Sequence, residues 1–315
     1  MQIYNRQQIA RRVNLDQAAL EVVEAGFAAL GRGEVEMPPI LSMNIAESNG
    51  EVDVKTAHIR GWPRFAIKIS PGFFDNPALG LPSLNGLMLL FSARTGLVEA
   101  VLFDEGYLTD IRTALAGAIA AKHLARAEAR SVAVIGAGLQ AELQVVALCL
   151  VREIQEVHVY ARDRAKAEVY ATHMRAYHAL PVTVHDSASG ACAQADIVVT
   201  TTPAREPVLR WSDLPRGVHV TAMGSDNPHK NELEPAILAN ADVVVVDRLS
   251  QSQALGELHH APGLQREVFE LGRLIADGRQ ARTSAEQITV CDLTGTGVQD
   301  TAIANYAARL LGGLT

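Results

Sequence analysis

The sequence has few cysteines, no excess of basic residues and no long apolar run. Each absence removes a class of protein. Cys149, Cys192 and Cys291 are the only 3 cysteines in 315 residues, odd in number and far apart, so neither a disulfide framework nor a cysteine zinc site is expected. Each reads instead as a small buried apolar residue. Lys and Arg total 28 against 35 Asp and Glu, for a formal net charge of -7, which argues against a nucleic-acid binder. A small anionic ligand would then need cations placed locally. Apolar runs such as Ile197 to Val199 and Val243 to Val246 fall far short of the about 20 residues that span a bilayer. Met1-Gln2-Ile3-Tyr4-Asn5-Arg6 lacks the features of a signal peptide, so a cytoplasmic protein without a membrane partner is expected. No internal repeat and no low-complexity linker is present. His58, His229 and the pair His259-His260 show no metal-ligand spacing; they read as loop or surface residues, and no metal is expected.

What is present is a globular composition, 48% hydrophobic and 20% charged, in a chain long enough for two lobes. Apolar residues at helical spacing behind Asn14 predict a helix over Leu15 to Leu30. From Val52 to Phe103 the texture turns to short β-like runs, with Ala93-Arg94-Thr95-Gly96 placed as a hairpin loop. Tyr107 to Leu124 reads as an Ala-rich helix. From Ser131 onward strand and helix alternate. Strands are expected at 132–135, 157–160, 182–184, 197–201, 218–222 and 243–246, which implies a parallel sheet with helices on both faces. One more strand at 288–291 and a helix from Val298 to Leu311 are placed to return and complete the first lobe. The expected fold is therefore α/β, a doubly wound parallel sheet plus a second α+β lobe. The expected domains are 1–125 completed by 288–315, and 126–287.

Gly136-Ala137-Gly138-Leu139-Gln140-Ala141 is a G-x-G-x-x-A run between a strand and a helix. The first glycine permits the tight turn, the second lets backbone approach a pyrophosphate, and the small third residue allows close packing. The helix N-terminus then offers unsatisfied N–H groups. The competing reading, a turn that merely needs positive φ, does not account for the strand-turn-helix context. Where an acid would bind the ribose 2′-OH of NAD, the sequence has Ala161. Arg162 and Arg164 are suited to a 2′-phosphate and Asp163 opposes one. Both NAD(H) and NADP(H) stay open on these residues.

Phe65-Ala66-Ile67-Lys68, Leu108-Thr109-Asp110-Ile111-Arg112-Thr113-Ala114, the Gly136 run and Gly224-Ser225-Asp226 with Lys230 together resemble the ornithine cyclodeaminase/mu-crystallin family. The resemblance covers nearly the whole chain. It implies an N-terminal lobe that binds substrate and forms a homodimer, and a Rossmann lobe that binds a nicotinamide cofactor. It implies Lys68 and Arg112 on the substrate carboxylate, Asp226 beside the reacting nitrogen, and Ser83 near the substrate. For the cofactor it implies Gly136, Gly138, Leu139, Gln140, Arg162, Thr201, Gly224 and Val298. Without it, Arg112 reads as a surface ion pair, Lys68 as a snorkelling edge residue and Asp226 as an Asx-turn or cap.

Two positions depart from the ornithine-converting pattern. Ile40 stands where those members carry an arginine, and Lys55 stands where they carry a glutamate suited to ornithine's ammonium. A buried charge requires its opposite, so Lys55 points to a substrate with a second negative group. Within the family the chain is most similar to the subgroup of iminosuccinate reductases and ectoine-utilisation cyclodeaminases, which implies NADH. The expected function is an imine reductase that forms aspartate. The alternatives are a cyclodeaminase that releases ammonia and a non-catalytic ligand-binding protein of the mu-crystallin kind.

Overall fold

In the computed structural model, which describes residues 1–312, the chain divides into two units. Met1–Arg112 with Thr296–Thr315 form the first, and Thr113–Gly295 the second. The division falls inside the helix Tyr107–Leu124, after Arg112, rather than after residue 125. Residues 313–315 of the expected closing segment lie outside the described residues.

The first unit's strands are β1 (Gln2–Asn5), β2 (Val35–Glu36), β3 (Leu41–Ile45), β4 (Gly50–Ile59), β5 (Arg64–Phe73), β6 (Leu87–Ser92) and β7 (Val98–Phe103). They form a sheet of order β1-β7-β6-β5-β4-β2, with β3 also on β4. Only β1 and β7 run parallel. Successive residues of a strand face opposite sides, so one face carries Lys55, Ala57 and Ile59 of β4 with Arg64, Ala66 and Lys68 of β5, all buried. The helix Gly297–Leu310 covers that face. Thr301 Oγ1 donates to Ala57 O at 2.7 Å and accepts from Ala66 N at 3.1 Å. A Cβ at Gly297 would lie 2.4 Å from Thr56 O, so this approach of helix to strand requires glycine. The first long helix is Gln17–Gly31; its cap is Asp16, whose side chain accepts from Ala19 N, rather than Asn14.

The second unit contains β8 (Ser131–Ile135), β9 (Glu156–Tyr160), β10 (Val182–Val184), β11 (Ile197–Thr200), β12 (His219–Ala222), β13 (Val243–Val246), β14 (Val268–Glu270) and β15 (Thr289–Asp292). All pair in parallel, in the order β10-β9-β8-β11-β12-β15-β13-β14. Val132 and Val134 of β8 join one core, and Ala133 and Ile135 join the other. A strand buried on both faces reads as an unbroken apolar run, which is why β8, β11 and β13 are visible in the sequence. The order of β10, β9, β8 and β11 reverses between β8 and β11, the switch point at which doubly wound sheets bind dinucleotides.

β15 corrects an expectation. It does not return to the first lobe but is inserted between β12 and β13, because Thr289 to Asp292 is buried throughout and supplies a central, two-sided strand. Two side-chain expectations also change. Cys149 is exposed while Cys192 and Cys291 are buried, and His58 lies half-buried inside β4 rather than in a loop. Among the described residues no helix is long and apolar enough to cross a membrane.

Candidate functional site

Lys55 and Lys68 are direct partners in the β4–β5 register, only 6% and 2% exposed. Like charges placed opposite each other destabilise a sheet. Here Asp300, in the first turn of the helix Gly297–Leu310, supplies the counter-charge. Its carboxylate lies 3.1 Å from Lys68 Nζ and 3.0 Å from Arg112 Nε. Burial pushes the Asp300 carboxyl up, but Arg112, Lys68 and Lys55 outweigh it and hold it below its usual range. Lys68 moves the other way. Burial, then Arg112, bring its ammonium down to about 7 despite the attraction of Asp300, and Lys55 adds to the drop.

Around this cluster, Arg112 Nη1 donates to Gln299 Oε1 at 3.1 Å. Gln299 Nε2 is buried without a hydrogen-bond partner. An orphaned donor beside a guanidinium suits a carboxylate ligand, since a buried polar group left unpaired is costly. Asp104 caps the helix Tyr107–Leu124 through Leu108 N at 2.8 Å, and burial raises its carboxyl to about 6. Ser83 is half-buried and is tied to β5 by its carbonyl, which accepts from Phe73 N at 2.7 Å. Val298, implied as a cofactor contact, has its side chain fully buried in the core with Ala29, Ala57 and Ile59.

In the second unit Gly136 follows β8 with φ 125, a conformation that excludes a side chain. A Cβ there would also meet Thr201 Oγ1 at 2.5 Å. Gly138 is the N-cap of the helix Leu139–Leu148 and makes no side-chain cap bond. A Cβ at Gly138 would meet nothing within 4 Å. A helix N-terminus directs its first-turn N–H groups outward along the axis, so at Gly138 open backbone and the positive end of the helix dipole coincide as a pyrophosphate requires. The residues fit a dinucleotide.

At the end of β9, Asp163 caps the next helix by accepting from Ala165 and Lys166 N, and Arg164 pairs with Asp186 and Glu168. Of the three charged residues read for 2′-phosphate selectivity, Asp163 and Arg164 are therefore engaged elsewhere, and Arg162 is exposed.

Asp226 lies in the loop after β12, its side chain 43% exposed and 2.6 Å from Lys230 Nζ. It pairs with that lysine, and in the same loop Asn227 Oδ1 accepts from His229 N. Ser225 Oγ donates to Lys230 O at 2.7 Å and closes the loop.

Of the buried acids that sequence reasoning missed, two shape the candidate sites. One is Asp300. The other is Glu232, which accepts from Thr200 Oγ1 at 2.6 Å, Thr202 N at 2.5 Å and Gly224 N at 2.7 Å. It thereby ties the segment after β11 to the segment after β12. Behind it Glu257 accepts from Glu232 N and Leu233 N, and Asp292 accepts from Glu257 N and Ser252 Oγ. For Asp300 the available signal was an acid in the first turn of the last helix, which has no other acidic residue. Glu232 had none, because its partners are amides and hydroxyls distant in sequence.

A two-unit α/β protein with a dinucleotide cradle and a buried cation cluster defines a class of nicotinamide-cofactor protein with an anion-holding unit. Residues 1–309 match the model of the ornithine cyclodeaminase/mu-crystallin family, and the chain belongs to that family. An uncharacterized cyclodeaminase of Sinorhizobium fredii is 53% identical over 313 residues, covering 98% of this chain and 95% of the relative. The Thermococcus litoralis Delta(1)-pyrroline-2-carboxylate reductase, solved with NADH and L-proline, superposes with TM-score 0.92 at 26% identity over 98% of this chain and 97% of the other. The iminosuccinate reductase of Paracoccus denitrificans, solved with NAD+, gives 0.87 at 29% identity over 98% and 95%. The family thus includes NAD-dependent imine reductases and cyclodeaminases.

Proposed function

We propose that this chain is an NAD(H)-dependent imine reductase for a small imino acid bearing two carboxylates, with iminosuccinate, reduced to aspartate, as the leading substrate. The observation that carries this reading is the buried cluster in which Lys68 and Arg112 share the Asp300 carboxylate and Lys55 stands opposite Lys68 in the sheet. A dianion entering that cluster favours the charged form of the lysine. Ornithine, with a second ammonium, meets repulsion there, which disfavours the cyclodeaminase reading.

In this proposal Arg112 grips the α-carboxylate through its planar fork and Lys68 adds a compact charge. Lys55 holds the distal carboxylate, Gln299 Nε2 supplies a further donor and Ser83 lies by the substrate. Asp226, steadied by Lys230, hydrogen-bonds the imine nitrogen and assists its protonation. Gly136, Gly138, Leu139 and Gln140 would hold the pyrophosphate, with Thr201, Gly224 and Val298 completing the cofactor set. When bound, the nicotinamide supplies the hydride. The solved relatives were seen with NADH and NAD+, which supports NAD(H) here; Arg162 is the residue through which NADP(H) would be admitted. The reading includes a cytoplasmic homodimer formed through the first unit, with no nucleic-acid partner.

The test is NADH oxidation by the purified enzyme with oxaloacetate plus ammonia, pyruvate plus ammonia, and, in reverse, aspartate, proline and ornithine with NAD+. The highest kcat/KM is expected for the oxaloacetate and ammonia pair. Preference for pyruvate, or ammonia release from ornithine, overturns the dicarboxylate reading.

A further inference from the structure

We propose that Glu142, His173 and His178 form a binding site for a divalent transition metal of the zinc type on the second unit. Among the described residues these three side chains bring ligand atoms within 4.8 Å of one another. Their spacing in the sequence hides them, because Glu142 opens the helix Leu139–Leu148 while both histidines lie on the helix Arg164–His178.

The geometry is close to that of a coordination site. His173 Nε2 and His178 Nε2 both face Glu142 Oε1, at 3.0 and 2.8 Å. In a tetrahedral site with metal-ligand bonds of about 2.0–2.1 Å, neighbouring ligand atoms sit about 3.3 Å apart. The two imidazole nitrogens would each move a few tenths of an ångström away from Glu142, and, lying within 4.8 Å of each other, would close on the ion between them. Two imidazoles and one carboxylate are donors that suit zinc, copper or nickel. The His173 side chain is 41% exposed, which leaves solvent to supply the fourth ligand. The site therefore takes a metal with an open coordination position.

The ligands are held in place before any metal arrives. Tyr170 OH donates to Ala141 O at 3.2 Å, and Ala167, Tyr170, Ala171 and Met174 share one core with Ala141, Val145 and Leu148. The two helices are locked where the ligands project, so binding orders little that is not already ordered. His178 is the last residue of its helix, where the backbone dipole favours a cation.

The test uses the full chain, stripped with a chelator and titrated with zinc chloride alone against a chromophoric competitor at neutral pH. One equivalent per chain with a micromolar or tighter Kd is expected. His173→Asn and His178→Asn should each weaken binding by about ten-fold or more, the scale on which even indirect support of a ligand is felt. His185→Asn, which alters the other close imidazole pair, His158 and His185 at 3.0 Å, should leave the Kd unchanged. Zinc should raise Tm in the wild type in a concentration-dependent way and fail to do so in His173→Asn. Because His173 is half-exposed on a helix surface, its variant should keep the native melting transition without zinc. Absence of saturable binding in the wild type, an unchanged Kd in both histidine variants, or loss confined to His185→Asn each overturns the proposal.

Discussion

In the first unit three buried cations, Lys55, Lys68 and Arg112, converge on the carboxylate of Asp300, whereas in the second unit Glu232, Glu257 and Asp292 are buried against amides and hydroxyls. Both regions take ionisable groups out of water, and they meet the cost differently. The first gathers Lys68 and Arg112 on one carboxylate with Lys55 opposite Lys68, an arrangement suited to an anionic ligand. The second sets its carboxyls against amides and hydroxyls, and burial together with neighbouring acids pushes Glu257 and Asp292 upward. Buried charge of the first kind is suited to binding; of the second kind, to holding loops in place.

The comparison is broken most severely by removing Asp300. Asp300→Asn leaves two cations buried without their anion, and loss of one member of a buried pair costs about 3–5 kcal/mol. Urea unfolding should show that loss, and a change below about 1 kcal/mol, the scale of an exposed pair, would place the cluster in effective contact with water. Glu232→Gln should cost less, about 1–3 kcal/mol, because the amide turns a donor toward groups that are themselves donors. The same variant should weaken NADH binding in a fluorescence titration, since Gly224 and Thr202 lose their anchor. Unchanged NADH affinity would make Glu232 a purely structural acid.

The two regions should also respond to pH with opposite signs. Carboxyls whose folded values are raised add stability at low pH, and that stability is lost as pH rises through the raised values, about 8 for Asp292. Lys68 is depressed in the fold, so its penalty is relieved as pH rises from about 7 toward the ordinary lysine value of 10.5. In melting experiments between pH 5 and about 8, the wild type should show a decline in Tm that Asp292→Asn flattens. A decline of equal slope in the variant would assign the dependence to other groups. The smallest effect is expected at the cofactor edge. Arg162→Ala should lower kcat/KM with NADPH by about ten-fold, the value of one charge-assisted hydrogen bond, and leave NADH unaffected; an equal effect on both removes Arg162 from 2′-phosphate reading.

Much of this architecture is legible in the amino-acid order, for reasons that differ between the regions. The helix Tyr107–Leu124 and the strands β10 and β13 fall where periodicity puts them, because each is an uninterrupted run bounded by polar or turn residues. The cradle at Gly136 is legible because its chemistry is local: turn, N-cap and first helical turn lie within six residues. The cation cluster is legible only in part. Lys55 and Lys68 share a face by register, but Asp300 reaches them from the far end of the chain. The boundary at Arg112 and the placement of β15 are not legible, since a continuous helix carries no mark of a division and a buried strand does not declare its sheet. Asp16 rather than Asn14 caps the first long helix for a similar reason, as two capping residues in succession leave the choice to the turn that precedes them.

The central claim is that the first unit's excess of positive charge selects a second carboxylate, and Lys55 tests it most directly. The quantity to measure is the ratio of kcat/KM for oxaloacetate plus ammonia to that for pyruvate plus ammonia, in the wild type and in Lys55→Ala. Truncating one partner of a buried charge pair costs about 2–5 kcal/mol, so the ratio should fall by at least about ten-fold while the pyruvate value changes little. A ratio that is the same in both proteins contradicts the account and leaves the second carboxylate without a reader in this site.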